Sequence, residues 1–228
     1  MRRMGRYRKI LLVDDHGITR EGAALHLRAL DPAIEVFHAR SAEEGREQVA
    51  ATVPDLVFLD MRFDDDHSGG LRVLEWMKQG HVHDHIPVII MSGESLDRKG
   101  VEALLEKGAA GYLSKGKADS AEIFRMVLMN LEAGAVFIHG ARAGGVSGSA
   151  AAPVTPRDAK SLGLIPSHHR VLVRHVRGMP YKRIARELDI TEATVKEYIS
   201  DICRRFKVEN AKALIYEIAR AGIALEEP

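Results

Sequence analysis

Five short apolar runs, at residues 10–13, 34–37, 56–59, 88–91 and 112–113, alternate along the first half of the chain with amphipathic stretches. The stretches at 18–30, 42–51, 71–78, 96–106 and 121–131 space their Leu and Ala residues as helices do. The apolar runs carry almost no polar interruption, as strands buried on both faces require. Strand and helix in strict alternation lead to a parallel sheet covered on both faces, a five-stranded doubly wound α/β unit.

After this unit, residues 133–161 change character, with Gly134, Gly140, Gly144, Gly145, Gly148, Pro153 and Pro156 set among alanines and serines. Such a composition reads as a linker, flexible in its Gly/Ser part. Four short helical patterns follow, at 167–177, 181–188, 192–206 and 211–221, and Asn210 is placed to cap the last. The expected division is therefore 1–132, an α/β domain; 133–161, a linker; and 162–228, a small all-α domain.

Charge follows the same division. Residues 1–132 carry net −4 and residues 133–228 net +5, which the chain's overall +1 conceals. An acidic unit joined to a basic one suggests a regulatory domain coupled to a module that meets a polyanion. Cys203 is the single cysteine of the 228 residues, so no intrachain disulfide can form, as suits a reducing compartment. No run approaches the ~18 apolar residues of a membrane span. The basic start, Arg2 to Lys9, meets an apolar run that Asp14-Asp15 cuts too short for a secretion signal, so a cytoplasmic protein without membrane contact is expected.

The polar residues that end the apolar runs carry the chemistry. Asp14 and Asp15 follow the first, Asp60 ends the third, Ser92 ends the fourth and Lys115 follows the fifth. In an open parallel sheet these strand ends share one edge, where ligands bind. Clustered carboxylates repel one another, and a hard divalent cation with oxygen ligands offsets that repulsion; Mg²⁺ is the natural candidate. A carboxylate there can accept a phosphoryl group as an acyl phosphate.

Asp14-Asp15-His16 with Arg20-Glu21-Gly22, then Leu56 to Asp60, Ser92, and the string from Lys107 to Lys115 together resemble the CheY-like receiver domain of bacterial two-component response regulators. The resemblance implies that a sensor histidine kinase phosphorylates Asp60. It implies further that Asp15, Asp60 and the backbone carbonyl of Arg62 bind Mg²⁺, Asp14 helping through water, that Ser92 and Lys115 hold the phosphoryl group, and that Tyr112 is an aromatic switch. The chain departs from the family pattern after Asp60, where the loop through Gly70 lacks a proline and is slightly longer, and at Gly116, where many receivers have proline.

Two further patterns resemble metal sites. Asp64, Asp66, Ser68, Gly69 and Glu75 nearly reproduce an EF-hand loop, but an apolar strand precedes them where an EF-hand needs a helix. His81, His83 and His85 alternate beside Gly80 and Pro87, as an exposed loop would.

In the basic half, 181–188, the Asp189-Ile190-Thr191 turn and 192–206 form a helix-turn-helix pattern. Val195, Ile199, Ile202 and Phe206 make an apolar face, and Thr194, Lys196, Ser200 and Arg204 lie opposite, with Lys182, Arg183 and Thr191 nearby for DNA contacts. The longer string, from Leu164-Ile165-Pro166 through 184–188 and 190–196 to Val208-Glu209-Asn210, resembles the LuxR-type four-helix DNA-binding domain. Both halves together resemble a response regulator of the NarL/FixJ class, a transcription regulator that binds double-stranded promoter DNA and forms a homodimer when active. Family members usually have threonine at Ile165 and an acidic residue at His168; Ser167 is the substitute expected to cap the first helix. The alternatives are a receiver that works without phosphate, and an aspartyl-phosphate enzyme; Met61-Arg62 after Asp60 disfavours the enzyme, since it lacks the second Asp such hydrolases use for acid/base work.

Overall fold

The computed structural model describes residues 6–79, 83, 85–132, 135–142, 155–157, 162, 164–220 and 223–225. Its α/β half runs β1 (Lys9–Val13), α1 (Gly17–Leu30), β2 (Glu35–Ala39), α2 (Ala42–Thr52), β3 (Leu56–Asp60), α3 (Gly69–Gln79), β4 (Val88–Ser92), α4 (Arg98–Glu106), β5 (Gly111–Ser114), α5 (Ala121–Glu132) and β6 (Phe137–His139). All pairings are parallel, in the order β2-β1-β3-β4-β5-β6.

Because side chains alternate across a strand, each run divides between two cores. Ile10, Leu12, Leu56, Phe58, Ile89 and Met91 face Ala24 and Leu27 of α1 and Phe124 and Val127 of α5. Leu11, Val13, Val57, Leu59, Val88 and Ile90 face Val49 of α2, Val73 and Met77 of α3, and Val101 and Leu105 of α4. Helices on both faces explain why these strands read as unbroken apolar runs rather than alternating ones.

Helix boundaries follow local caps. The Ser41 hydroxyl accepts from the Glu44 amide at 3.2 Å while Glu44 accepts from the Arg40 amide at 2.7 Å, a reciprocal cap for α2. Asp97 caps α4 by accepting from the Gly100 amide at 2.9 Å, which moves the helix start beyond the expected residue 96.

The sheet has six strands among the described residues, one more than expected. Phe137, fully buried, closes the hydrophobic edge beside β5, so the segment expected as a linker begins by extending the sheet. It then turns over the loop after β4, where the Arg142 amide donates to the Leu96 carbonyl at 2.6 Å. A further piece, β7 (Thr155–Arg157), pairs in parallel with β8 (Ile223–Leu225) at the end of the chain. Gly144, Gly145, Gly148 and Pro153, the core of the expected flexible part, lie outside the described residues.

The helical half comprises α6 (Pro166–Val176), α7 (Tyr181–Leu188), α8 (Glu192–Phe206) and α9 (Ala211–Arg220). Ser167 does not cap α6: Ile165 occupies the cap position without a side-chain bond, and Pro166 opens the helix, its fixed φ suiting the first turn. Thr191 caps α8 through the Thr194 amide at 3.1 Å, and Asn210 caps α9 through the Ala213 amide at 3.0 Å. Val171, Leu172, Ile184, Val195, Ile199, Ile202, Leu214 and Ile218 form its core.

The halves dock through α4 and α9. Arg98 pairs with Glu217 at 3.5 Å and lies 4.9 Å from the centroid of the Tyr216 ring, and Lys212 pairs with Glu106 at 2.5 Å.

Candidate functional site

The strand ends converge as the topology requires. Asp60 and Asp14 are 3% and 4% exposed, and the Lys115 ammonium lies between them, 2.6 Å from Asp60 Oδ2 and 2.8 Å from Asp14 Oδ2. Ligand atoms of Asp14, Asp15, His16 and Asp60 all fall within 4.8 Å of one another, and no other such metal-capable group occurs among the described residues.

Each group is held by its neighbours. The His16 amide donates to Asp14 Oδ1 at 2.8 Å, and the His16 ring nitrogen Nδ1 stands 2.7 Å from Asp15 Oδ1. The Asp64 amide donates to Asp15 Oδ2 at 2.6 Å, so the lengthened loop after Asp60 folds back on the site. Gly70, in the first turn of α3, lies against the backbone of Asp60 and Met61, where a Cβ would overlap the Asp60 carbonyl oxygen. The loop can close over the acceptor because this position lacks a side chain.

The electrostatics separate the two carboxylates. Burial pushes Asp60 above its ordinary range, with Lys115 pulling against it. For Asp15 burial also acts upward, but the Asp64 amide and the His16 ring outweigh it and leave the carboxyl below its ordinary value. Burial acts to lower the Lys115 ammonium, and the bonds to Asp14 and Asp60 reverse this and raise it. A buried carboxylate kept near a positive group, with a carboxyl held low 45 residues earlier in the chain, has the chemistry a nucleophile beside a cation site requires.

Hard carboxylate oxygens from Asp15 and Asp60 match the ligand preference of Mg²⁺, so the residues present fit that ion. Ser92, buried at the end of β4, donates to the Glu94 carbonyl at 2.8 Å. Tyr112 is fully buried, and its hydroxyl donates to the Glu94 carbonyl at 2.9 Å and accepts from the Leu96 amide at 3.2 Å. The loop that begins at the site and ends at Arg98 is therefore fastened from beneath by Tyr112.

Sequence reasoning had assigned no role to His16 or to Glu94, which also pairs with Arg62 at 2.8 Å. His16 was findable, since it adjoins Asp15; Glu94 was not, because only the β3–β4 pairing brings it to Arg62. Two of the three EF-hand-like carboxylates are engaged elsewhere, Asp66 with Arg72 and Glu75 with Lys107. His81 lies outside the described residues; His83 sits against Trp76, ring centroids 5.4 Å apart.

On α8, Lys196, Ser200 and Arg204 are exposed and Thr194 half-buried, opposite the buried Val195, Ile199 and Ile202. Thr191 spends its hydroxyl on the cap and on Thr194 Oγ1, 2.9 Å away. Lys182 is exposed, whereas Arg183 pairs with Glu187 at 3.1 Å and Arg204 with Asp201.

A profile of the family described as "Response regulator receiver domain" matches residues 10–127, and one described as "Bacterial regulatory proteins, luxR family" matches 168–218. The chain belongs to the response-regulator family. The nitrate/nitrite response regulator protein NarL of Escherichia coli is 31% identical to it, over 88% of this chain and 90% of NarL. The DNA-binding transcriptional activator DevR/DosR of Mycobacterium tuberculosis is 28% identical over 88% and 89%. A solved RcsB response regulator from Salmonella typhimurium shares the fold, with TM-score 0.50 and 17% identity over 94% of this chain and 98% of that one. As a response regulator with a LuxR-type DNA-binding domain, the chain is a transcription regulator and not an enzyme. No helix among its described residues is long and apolar enough to cross a membrane.

Proposed function

We propose that Asp60 accepts a phosphoryl group from a sensor histidine kinase and that the acyl phosphate controls binding of this cytoplasmic regulator to promoter DNA. The observation that carries this reading is the burial of Asp60 between Lys115 and Asp14 at the sheet edge. An Asp60 oxygen attacks phosphorus, the bond to the donor nitrogen breaks, and the donor imidazole keeps the electron pair. Lys115 then exchanges its carboxylate contacts for phosphoryl oxygens, and the Ser92 hydroxyl turns from Glu94 to the same group. Asp15, Asp60 and the Arg62 carbonyl would hold Mg²⁺, Asp14 helping through water; bound there, the ion offsets charge on the transferred group. We place the kinase on α1, whose Ile18 and Leu25 are 93% and 68% exposed and lie seven residues apart on one face, starting close to Asp14.

The output runs along the loop from Ser92 to Arg98. When Ser92 leaves Glu94, the loop that Tyr112 fastens shifts, and Arg98 at its end loses its place over Tyr216. In the docked arrangement the outer face of α8 is open and α9 is covered by α4. Phosphorylation therefore frees α9 to pair with a second copy, and the homodimer presents two α8 helices to successive major grooves. Incubation with Mg²⁺ and acetyl phosphate, followed by light scattering and selection of bound genomic fragments, tests this. Doubling of mass with tighter, sequence-selective binding is expected. Selective binding that is unaltered by phosphate would instead favour a phosphate-independent receiver.

A further inference from the structure

At the sheet edge opposite Asp60, a cavity of about 360 Å³ lies between the two domains. Its receiver wall is the backbone entering the strands: Tyr7 before β1, Pro87 before β4, Ala110 before β5 and Val136 before β6. Its other wall is the turn from α6 to α7, including Val176 and Met179. Beside the cavity the backbones of the two domains meet at two glycines. Gly108 and Gly178 both end helices at positive φ, +91° and +76°, and a Cβ on Gly178 would stand 3.2 Å from the Gly108 Cα. Backbone meets backbone there, with the Lys78 side chain packed against Gly108 on the receiver side.

The lining has a definite chemistry. Arg6, Lys78, Lys107, Arg177 and Arg183 contribute positive charge, against Glu106 and Glu132. Both carboxylates are engaged, Glu106 by Lys212 and Glu132 by the Arg6 amide at 3.3 Å, and among the cations Lys107 pairs with Glu75, Arg183 with Glu187, and Lys78 donates to the Ile86 carbonyl; counted with these partners the group remains net positive. Tyr7, Val136, Val176 and Met179 supply an apolar floor. A half-open cleft with an apolar floor and a net positive rim, in the size range of small-molecule sites, suits a molecule with an apolar body and an anionic head.

We propose that this cleft binds a small amphipathic organic anion, an aryl or acyl carboxylate, sulfonate or phosphate, with its head near Lys107 and Arg177 and its body on Tyr7, Val136 and Met179. Because both domains build the walls, the occupant holds them together. It is an input separate from Asp60, and by linkage it and any ligand of the undocked state oppose one another.

The full-length protein is titrated with 8-anilinonaphthalene-1-sulfonate and, in parallel, with uncharged N-phenyl-1-naphthylamine, the same ring system without the sulfonate. Saturable binding of one sulfonate per chain is expected, at least tenfold tighter than the uncharged analogue. Lys107→Gln and Arg177→Gln, from opposite walls, should each weaken the sulfonate at least fivefold and leave the uncharged compound unchanged. Equal affinity of the two probes in the wild-type protein, no saturable binding, or sulfonate affinity indifferent to either substitution overturns the proposal. The wild-type comparison decides even if a variant fails to fold.

Discussion

The Lys115 ammonium stands 2.6 Å from Oδ2 of Asp60 and also holds Asp14, so two buried carboxylates share one cation that offsets only part of their charge. Lys115→Ala leaves those carboxylates facing each other, which by the usual cost of breaking a buried pair destabilises the receiver by about 3 kcal/mol. A divalent cation can take over part of that neutralisation. Thermal unfolding with and without 10 mM Mg²⁺ should therefore show a larger Mg²⁺-dependent gain for the variant than for the wild type; equal gains would contradict the arrangement.

His175, on α6, is half-buried against Tyr181, ring centroids 5.3 Å apart, and desolvation of its ring pushes its pKa down to about 4, against the opposing bond to the Ala211 backbone. In the folded chain it stays neutral, while the unfolded chain binds a proton below the ordinary 6.5. The unfolded state thus carries more protons between these values, and stability is lost as pH falls from 6.5 toward 4. The loss attributable to this ring is about 3 kcal/mol. His175→Gln should flatten the slope of unfolding free energy against pH in that window; an unchanged slope would exclude His175 as its source.

Arg98 holds α9 through Glu217 and the Tyr216 ring, contacts worth together about 1 kcal/mol at a partly exposed site. Arg98→Ala should raise the undocked fraction severalfold without phosphate, read as a larger radius of gyration by small-angle scattering. Raised salt should produce a similar change in the wild type, because screening weakens the same pairs. A radius insensitive to both treatments would show that this contact does not hold the domains.

Much of this arrangement was readable before the structure, and the reasons differ by element. The strands β1, β3 and β4 were legible because each is an unbroken apolar run ended by a carboxylate or hydroxyl that sheet topology sends to one edge. β2 was placed two residues short of its end because His38 is polar in sequence yet half-buried beside Leu12. β6 was missed because three residues within a Gly/Ala-rich stretch carry no periodicity; only the free edge of β5 makes Phe137 a strand residue. The docking of Arg98 on Tyr216 was not legible, since both belong to ordinary amphipathic helices and nothing local says which helix each will face. His16 joined the site through adjacency, a signal present in the sequence but not weighed there.

On the DNA side, Lys196 lies exposed on α8 with no acidic partner among the described ion pairs, whereas Arg183 pairs with Glu187. If Lys196 reads a base edge, Lys196→Ala should cost about 1 to 3 kcal/mol on a selected site and relax preference at one position. Arg183→Ala should weaken binding evenly across sequences and lower the salt slope by about one, as loss of a phosphate contact does. Competition binding at several salt concentrations distinguishes the two patterns. A uniform loss for Lys196→Ala would move it to the phosphate class.

Intact mass after incubation with Mg²⁺ and acetyl phosphate tests the central claim most directly. The wild-type chain should gain one phosphoryl group, about 80 Da by composition of the added group, lost again on mild alkaline hydrolysis as an acyl phosphate is. Asp60→Asn, nearly isosteric and folded by circular dichroism, should gain none. A variant that still takes up one phosphoryl group would contradict Asp60 as the acceptor.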